Sequence, residues 1–541
     1  MSDGQLLIAY GPPGTGKTTY LAEQIEKAYQ RYGTAVMASS FTKAAAVELV
    51  GRHLSIPKSN VGTLHALCYR ALGVPPIAET RIKEFVEAHH GWALSGGSAD
   101  AMDESAVDQH FANADDATMA DYHRCRQRML PREGWLEKTR YFAAQWEGWK
   151  KEAGYIDFTD MIENCLHDVD EAPCRPEVWY HDEAQDSSTL ELTLIQKWAQ
   201  RTRYTVLAGD DDQCLYNFRG SQAADILALS YADTKVLTQS YRVPRAVHAL
   251  SQAWIKKVRQ RAEKEYLPRD ADGAVTTLSA ATWKNVGDVV RLIEERVSGG
   301  KTIMILATCS YMLSPLIHAL RERGIPYHNP YRTRRGDWNP LGHRADDAAE
   351  GGAVSSLARV LAFLRPDADT WGEDARFWTA RDVQRWAPPL QSEQVWARGA
   401  KVKIAAWNGD FEVTVEDLLR WMVSEDAVSH AMDLDLEWYR QNLTKDYAGR
   451  MAYPLTVIAQ HGAAAARNVP LCIVGTIHSV KGGQADCVVV FPDVSEQGYG
   501  EWMGSGRDNV RRQFYVAFTR AREELVLTNR ASGYSVNWRE R

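Results

Sequence analysis

The chain has 541 residues, of which 45% are hydrophobic and 25% are charged, a composition that is typical of folded globular proteins and excludes global disorder. Its 63 lysines and arginines against 70 aspartates and glutamates give a net charge of −7, which argues against attachment to nucleic acid by bulk positive charge but leaves a localised basic groove open. The length predicts several domains with ample material for a buried core.

No stretch approaches the ~20 apolar residues that a membrane helix needs, and the first residues lack the basic and apolar regions of a secretory signal. The eight cysteines are scattered without a CxxC pair. We therefore expect neither a zinc site nor an iron–sulfur cluster, and a reducing cytoplasm as the setting.

The chain opens with a predicted strand, turn and helix. An apolar run at 5–10 is followed by the sequence GPPGTGKT at 11–18, and a helical pattern then extends to about Arg31. A parallel α/β sheet begins in this way.

The alternation continues with a strand at 35–38 and a helix from Thr42. Two further strands, near 177–181 and 204–208, end in acidic loops. Because ligands of open α/β sheets bind beyond the carboxyl ends of the strands, we expect these loops and the first turn to line one crevice.

Between about 76 and 155 this alternation is interrupted. Residues 92–121 hold seven acids and no lysine or arginine, which predicts an exposed segment. Residues 122–151 hold eight lysines and arginines against three glutamates, interleaved with tyrosine, phenylalanine and tryptophan. Two interpretations stay open here: a helical insertion with a solvated basic face, or a nucleic-acid contact surface.

A second α/β alternation is predicted to begin near Thr234. Its strands are expected at 275–278, 302–306, 471–474 and 486–491, and its helices at about 284–298 and 311–323. We predict two parallel-sheet domains, each with a mostly helical insertion. The boundaries are 1–75 and 156–232 for the first domain, 76–155 for its insertion, 233–330 and 456–541 for the second domain, and 331–455 for its insertion.

The segment at 11–18 matches the pattern GxxxxGK[ST] between a strand and a helix, which is the context of a phosphate-binding loop. Backbone N–H groups of such a loop and the helix N-terminus behind it attract anions. Lys17 would reach the β- and γ-phosphates and the Thr18 hydroxyl would contact Mg²⁺. The sequence therefore predicts a bound nucleoside triphosphate with Mg²⁺.

Two carboxylates, Asp182 and Glu183, follow the strand near 177–181. Nucleotide hydrolysis needs one carboxylate to hold hydrated Mg²⁺ and another to orient or deprotonate water, and adjacent acids can do both. It also gains from an arginine that neutralises transition-state charge, for which Arg242 and Arg520 are candidates. From composition alone, either arginine is more often part of a surface ion pair.

Nine segments, in this order along nearly the whole chain, resemble the motifs of superfamily 1 DNA helicases of the UvrD/Rep type. They are 11–18 (GPPGTGKT), 41–46 (FTKAAA), 62–65 (GTLH), 157–160 (DFTD), 182–186 (DEAQD), 209–220 (GDDDQCLYNFRG), 240–242 (SYR), 476–482 (TIHSVKG) and 515–521 (YVAFTRA).

The resemblance implies two RecA-like P-loop NTPase domains that form an ATP-driven motor, moving 3′ to 5′ on single-stranded DNA. It implies catalytic roles for Lys17, Glu183, Gln213, Arg242 and Arg520, and Mg²⁺ contacts for Thr18 and Asp182. It implies nucleotide contacts for Gly11, Pro12, Pro13, Gly14, Thr15, Gly16, Lys17, Thr18, Thr19, Gln185, Tyr241 and Gln484. It implies DNA contacts for Thr42, Thr63, His65, Tyr216, Phe218, Arg219, Thr476 and His478.

The expected partners are single-stranded DNA and single-strand/duplex junctions, without a membrane, in the cytosol of a bacterium or of a phage-infected host. Two alternatives stay open: a DNA-stimulated ATPase that strips proteins or remodels junctions with little unwinding, and a nucleotide-gated nucleic-acid-binding module. The presence of Lys17, Glu183, Arg242 and Arg520 together favours hydrolysis, because a pure binder needs neither a base nor arginine fingers.

Overall fold

A computed structural model describes residues 4–41, 54–95, 113–332, 338–342, 354–364, 378–409 and 411–538. The chain divides into two compact units. Unit 1 comprises Met1–Ser279, Leu306–Ser310 and Thr476–Arg541, and unit 2 comprises Ala280–Ile305 and Tyr311–Gly475.

The strands of the described residues are short, between two and eight residues long. In chain order they are β1 (Gln5–Tyr10), β2 (Val36–Ser40), β3 (Val61–Thr63), β4 (Val178–Asp182), β5 (Tyr204–Gly209), β6 (Asp233–Val236), β7 (Gln239–Pro244), β8 (Leu267–Arg269), β9 (Ala274–Leu278), β10 (Ile303–Ala307), β11 (Tyr327–His328), β12 (Cys472–Thr476), β13 (Ala485–Val490) and β14 (Ala521–Thr528).

The α-helices connect these strands or form the insertions. In chain order they are α1 (Lys17–Tyr32), α2 (Leu64–Ala71), α3 (Ile82–Ala88), α4 (Ala114–Gln127), α5 (Glu137–Ala153), α6 (Phe158–Asp168), α7 (Thr189–Ala199), α8 (Ala223–Leu227), α9 (Arg245–Ile255), α10 (Gly287–Ser298), α11 (Ser314–Glu322), α12 (Ser356–Phe363), α13 (Ala380–Trp386), α14 (Ala400–Ala405), α15 (Val415–Trp421), α16 (Glu425–Met432), α17 (Leu436–Gln441), α18 (Lys445–Arg467), α19 (Glu496–Met503) and α20 (Arg507–Phe518).

The first sheet has the strand order β3–β2–β4–β5–β1–β6, and all of its pairings are parallel. The α/β class with parallel sheets predicted from the sequence is confirmed, and the eight strands with expected positions lie within two residues of them. Strands β3, β6, β7, β8, β11 and β14 have no expected position. Because β1, β4 and β5 run in the same direction, their carboxyl ends at Tyr10, Asp182 and Gly209 meet at one edge. That edge carries the glycine-rich loop and both acidic loops.

The first sheet is buried on both faces, as expected for a parallel sheet. Successive residues of a strand point to opposite faces, so Met37 and Trp179 lie in one hydrophobic cluster while Ala38 and Tyr180 lie in another. Helix α1 packs on the second cluster through residues such as Ile25. This packing holds the glycine-rich loop, which joins β1 to α1, in a fixed position.

Strand β6 corrects the expectation that the second α/β alternation begins near Thr234. It pairs in parallel with β1, with Thr234 opposite Ile8, and is therefore the edge strand of the first sheet. Its residues are mostly exposed. A sequence pattern reports that a strand forms but not which sheet it joins, since pairing is decided by distant residues.

The first insertion differs from its sequence interpretation in two respects. Helix α4 occupies 114–127, capped by the Asn113 side chain, so the end of the expected exposed segment is a packed helix. Most of the aromatic residues between 122 and 151 are buried together, which favours the packing interpretation of that segment. Residues 42–53, with the expected helix from Thr42, and residues 96–112 lie outside the described residues.

In unit 1, strands β13, β14 and β9 pair in parallel in that order. Helices α9 and α20 pack through aromatic contacts, with Trp254 6.3 Å from Phe514 and 5.9 Å from Phe518 between ring centroids. This places α20, and the loop that follows it, in a rigid aromatic setting.

In unit 2, the strand order is β11–β12–β10, with β11 and β12 parallel. Its described insertion is helical, from α12 to α17, as expected, and Trp378, Trp386 and Trp396 are among its fully buried side chains. Among the described helices, none has the length and apolar run needed to cross a membrane.

Candidate nucleotide site

The glycine-rich loop leaves β1 at Tyr10 and enters α1 at Lys17. The backbone N–H of Gly11 donates to the Gly209 carbonyl at 2.9 Å, and Gly14 and Gly16 have φ angles of 75° and 76°. A side chain at Gly14 would clash with Arg242, so both backbone conformation and space require glycine there. The first turn of α1 contains no acidic residue and no side-chain cap. Its N–H groups are therefore oriented to receive an anion.

Lys17 is held by the two acids that follow β4. Its Nζ lies 2.5 Å from Glu183 Oε1 and 3.6 Å from Asp182 Oδ1, and its side chain is 10% exposed. Burial alone would lower the pKa of Lys17, but the carboxylates of Glu183 and Asp182 outweigh it and raise the pKa. The loop lysine is thus a stable cation beside two carboxylates.

Glu183 has a left-handed backbone conformation with φ of 56°, which is uncommon for a residue other than glycine and is found at functional sites. Its Oε2 accepts from Gln185 Nε2 at 2.5 Å and lies 3.3 Å from Lys481 Nζ. Burial would raise the pKa of Glu183, but Lys17 and Lys481 together lower it, so the carboxylate is charged.

Asp182 is 1% exposed, and its Oδ1 accepts from the Glu183 backbone N–H at 2.9 Å. Burial raises its pKa to about 6 in spite of the attraction of Lys17. The buried carboxylate of Asp182 is a hard oxygen donor of the kind that Mg²⁺ prefers.

Gln213 and Arg520 are brought together by the fold. Gln213 Nε2 donates to Asp210 Oδ2 at 2.8 Å, and Arg520 donates to Gln213 Oε1 at 3.1 Å. Arg520 is 1% exposed and also donates to the carbonyls of Val516 and Gly483. A side-chain amide and a guanidinium from residues 307 positions apart therefore form one buried, hydrogen-bonded pair.

The segment around β7 lies directly over the glycine-rich loop. The backbone N–H of Tyr241 donates to the Gly14 carbonyl at 2.8 Å, and the Tyr241 side chain is 72% exposed. Arg242 Nε donates to Gln484 Oε1 at 2.9 Å. Tyr241 also lines an open cavity of about 410 Å³. The exposed ring and this cavity beside the loop offer a place for a planar group.

Two family models match the chain: the UvrD/REP helicase N-terminal domain over residues 1–232 and the UvrD-like helicase C-terminal domain over residues 471–528. Together they cover more than half of the 541 residues. The chain belongs to the UvrD/Rep helicase family. The predicted resemblance to UvrD/Rep helicases and the predicted fold class with two RecA-like domains are thereby confirmed.

Similar curated proteins are helicases of this family. The chain is 24% identical over 409 residues to the ATP-dependent DNA helicase PcrA of Staphylococcus epidermidis, covering 68% of this chain and 53% of that protein. It is 23% identical over 373 residues to PcrA of Staphylococcus aureus, covering 61% and 49%. It is 24% identical over 290 residues to the putative ATP-dependent DNA helicase YjcD of Bacillus subtilis, covering 49% and 38%. The chain thus spans about half the length of the curated relatives it matches.

Two of the DNA residues implied by the UvrD/Rep resemblance line one groove. Phe218 and His478 lie 5.9 Å apart between ring centroids, on a groove of about 480 Å³ in unit 1. Gln513 of α20 and Asn217 also face this groove. It combines aromatic rings with polar side chains, which suits a flexible polymer.

Tyr216 does not fit the role of presenting a ring face to bases. It is fully buried, with its ring 5.2 Å from Phe41 and Lys481 Nζ 5.3 Å from the ring centre. Its ring packs near Phe41 and Phe218, so of the two aromatic residues only Phe218 remains a candidate for stacking on bases.

The remaining implied DNA residues are distributed over several positions. Thr63 caps α2 by accepting from the Ala66 N–H, and Thr476 is 1% exposed. His65 lies 3.5 Å from Glu191, and burial lowers its pKa. The Arg219 guanidinium lies 4.9 Å from the ring centre of Phe41, while Thr42 is outside the described residues.

Sequence reasoning missed two buried lysines at this site. Lys481 pairs with Asp186 and Glu183, and it stands in the segment 476–482 that resembles a family motif, so its position could have indicated a role. Lys264 pairs with Asp210 in a segment that no motif marks. Only the fold identifies it.

Proposed function

We propose that the chain is an ATP-dependent DNA helicase or translocase that moves 3′ to 5′ on single-stranded DNA. The observation that carries the proposal is a chain of hydrogen bonds that joins two pairs, Lys17 with Glu183 and Gln213 with Arg520. Gln185 donates to Glu183 and accepts from the backbone N–H of Asp210, whose carboxylate accepts from Gln213. Lys17 contacts Glu183 at 2.5 Å, and Arg520 contacts Gln213 at 3.1 Å. A binding module would need the lysine but neither the carboxylate base nor the arginine.

The proposed chemistry follows from competition for Lys17. A triphosphate in the loop is an anion that competes with Glu183 for the Lys17 ammonium, and transfer of Lys17 to the phosphates leaves Glu183 able to accept a proton from water. Gln213 and Arg520 would then donate to the γ-phosphate oxygens. An arginine in this position contributes about 10³–10⁵ in rate because transition-state charge spreads over those oxygens.

Mg²⁺ is the metal that the family implies for this site. Thr18 and Asp182 would hold it through their hydroxyl and carboxylate oxygens. When bound, the ion would supply positive charge that offsets the negative charge of the phosphates. The residues around it bind, orient and exclude water independently of that contribution.

The groove lined by Phe218 and His478 is the proposed DNA track. Stacking of a base on an aromatic ring is worth about 1–3 kcal/mol and is tolerant of sequence, as a motor requires. Arg219, beside the same segment, would attract the phosphate backbone. Because binding of this kind does not depend on base sequence, the protein would be able to move along a strand of any sequence.

The ATPase test compares phosphate release with and without a single-stranded oligonucleotide. We expect the oligonucleotide to stimulate release, and Lys17→Ala to abolish it while some DNA affinity remains. Lys27→Ala is the matched control, because Lys27 lies on the exposed face of the same helix. Retained turnover in Lys17→Ala would remove the loop assignment.

Polarity is tested with duplexes that carry a 3′ tail, a 5′ tail or blunt ends, at several protein concentrations. We expect ATP-dependent unwinding of the 3′-tailed duplex, because a motor that loads on the tail and moves 3′ to 5′ runs into the duplex. Unwinding confined to the 5′-tailed duplex would overturn the proposed direction.

A further inference from the structure

Lys264 lies between α9 and β8 and is almost completely enclosed. Its side chain is 1% exposed, and its Nζ lies 2.5 Å from Asp210 Oδ1, 2.5 Å from Asp211 Oδ1 and 3.0 Å from Asp212 Oδ2. These three aspartates are consecutive in the loop after β5, and their side chains are at most 1% exposed. One ammonium thus ties together three buried carboxylates.

The negative charges of the three buried aspartates are compensated mainly by Lys264 and by one arginine. Arg261 is this arginine, with Nε 3.0 Å from Asp212 Oδ1 and a terminal nitrogen 2.6 Å from Asp212 Oδ2. The backbone N–H of Ala262 adds a bond of 3.0 Å to Asp211 Oδ2. Because buried carboxylates are unfavourable without partners, the conformation of the loop depends on this lysine and this arginine.

Asp210 connects the cluster to the reacting groups. Its Oδ1 contacts Lys264, and its Oδ2 accepts from Gln213 Nε2 at 2.8 Å. With Nε2 directed to Asp210, the Gln213 carbonyl oxygen is the atom that accepts from Arg520 at 3.1 Å. The orientation of the Gln213 amide is therefore set by a carboxylate that Lys264 holds.

The same segment also reaches the phosphate loop. Tyr266, two residues after Lys264, donates from its hydroxyl to the Pro13 carbonyl at 2.8 Å, and Ser240 donates to the same carbonyl at 2.9 Å. Residues 261–266 thus contact both the loop that carries Gln213 and the loop that carries Lys17. They are suited to fixing the distance between the two.

We propose that Lys264 is a positioning residue for nucleotide hydrolysis: it holds Asp210 so that the Gln213 amide and Arg520 face the γ-phosphate in their productive orientation. The proposal rests on the proposed function, in which Gln213 senses that phosphate. Lys264 itself touches neither loop glycines nor the acids after β4 among its described contacts. Its most direct described connection to the reacting groups runs through Asp210 to Gln213.

The test is a double-mutant cycle of Lys264→Met and Gln213→Ala, with kcat and KM for ATP measured at saturating oligonucleotide. We expect Lys264→Met to lower kcat on the order of 10²-fold with little change in KM, since misplacement of a reacting group costs that much. We expect the double variant to equal Gln213→Ala alone, because both changes remove the same oriented amide. Lys256→Met, an exposed lysine of the same segment, is the control and keeps the parent kcat.

Lys264→Met alone could unfold the protein because it leaves three buried aspartates with less positive charge. The cycle is therefore also measured in an Asp211→Asn background, in which the loss of one carboxylate charge offsets the loss of the lysine charge. Independent, multiplicative losses in either background, or an unchanged kcat in the lysine variant, overturn the positioning role. A Gln213→Ala variant with the parent kcat would instead overturn the sensor role of the proposed function, and the positioning role with it.

Discussion

Glu79, in the first insertion, is a buried acid whose negative charge has too few positive or hydrogen-bonding partners to offset its burial. It is 7% exposed, and its Oε1 accepts from the Phe158 backbone N–H at 2.9 Å. Burial raises its pKa to about 8, and the negative charge of Asp157 adds to the effect, while the Phe158 N–H and Lys150 act against it. His123, whose own pKa burial lowers to about 4, is the nearby base.

At the residue scale, we predict that Glu79→Gln changes how stability depends on pH. An acid whose pKa is raised from 4.5 in the unfolded chain to about 8 in the fold contributes stability that is complete below pH 4.5 and is lost as the pH rises through about 8. The parent protein should therefore lose unfolding free energy over that range relative to the glutamine variant. Urea denaturation of both proteins at several pH values measures this difference, and parallel profiles would contradict it.

Helices α4 and α5 of the first insertion are joined to α6, the next helix along the chain, by a buried ion cluster. Arg126 of α4 contacts Asp157 at 2.9 Å, Asp160 at 2.5 Å and Glu163 at 2.5 Å, and Lys150 of α5 contacts the same two aspartates. Asp157 also caps α6 in a capping box with Asp160. The two aspartates of the segment DFTD at 157–160 thus hold α4 and α5 of the insertion to α6 by ion pairs.

At the element scale, we predict that Arg126→Met destabilises the protein by about 3–5 kcal/mol, because it removes one of the two cations that compensate the buried Asp157 carboxylate and leaves only Lys150. Arg126 is 6% exposed and Asp157 is fully buried. The matched control is Arg132→Met, whose side chain is 59% exposed and pairs with Glu147 at 2.8 Å. Such a surface pair contributes about 0–1 kcal/mol. Equal losses in chemical denaturation would show that the cluster is no more important than a surface pair.

Across unit 1 as a whole, the nucleotide site and the groove share one segment. Lys481 lies 3.3 Å from Glu183 Oε2, and His478, three residues earlier, lines the groove opposite Phe218. Phe218 in turn follows the loop that carries Gln213 by five residues. A shift of the backbone at one site can therefore reach the other through only three to five residues of the chain.

At the scale of the molecule, we predict that Phe218→Ala impairs translocation along single-stranded DNA more than it impairs DNA-free ATPase. The ring borders the groove, whereas Lys17 and Glu183 do not depend on it. Tyr534→Ala, an exposed aromatic residue elsewhere in unit 1, is the control. Arrival times at a labelled strand end, measured beside phosphate release, separate the two activities. Equal loss of both would show that Phe218 is only a packing residue.

Much of the nucleotide site could be predicted from the sequence because its parts are local. A glycine-rich loop between a strand and a helix is a short-range pattern, so spacing alone predicts the loop at 11–16 and the helix that begins at Lys17; the contact of Lys17 with a nucleotide stays a prediction. The acids after β4 follow from the same logic, since parallel strands end at one edge. Spacing does not predict that Arg520 meets Gln213; the resemblance implies a catalytic role for each, and their hydrogen bond is seen only in the fold.

The sequence by itself determined the α/β class, the glycine-rich loop and the positions of eight of the fourteen described strands, because these depend on short-range patterns of apolar residues, glycines and acids. The tertiary structure decided that β6 joins the first sheet, that Tyr216 is buried while Phe218 borders the groove, and that Lys264 holds Asp210. Burial and ion pairing are set by segments far apart in the chain, and a local pattern carries no information about which of them meet.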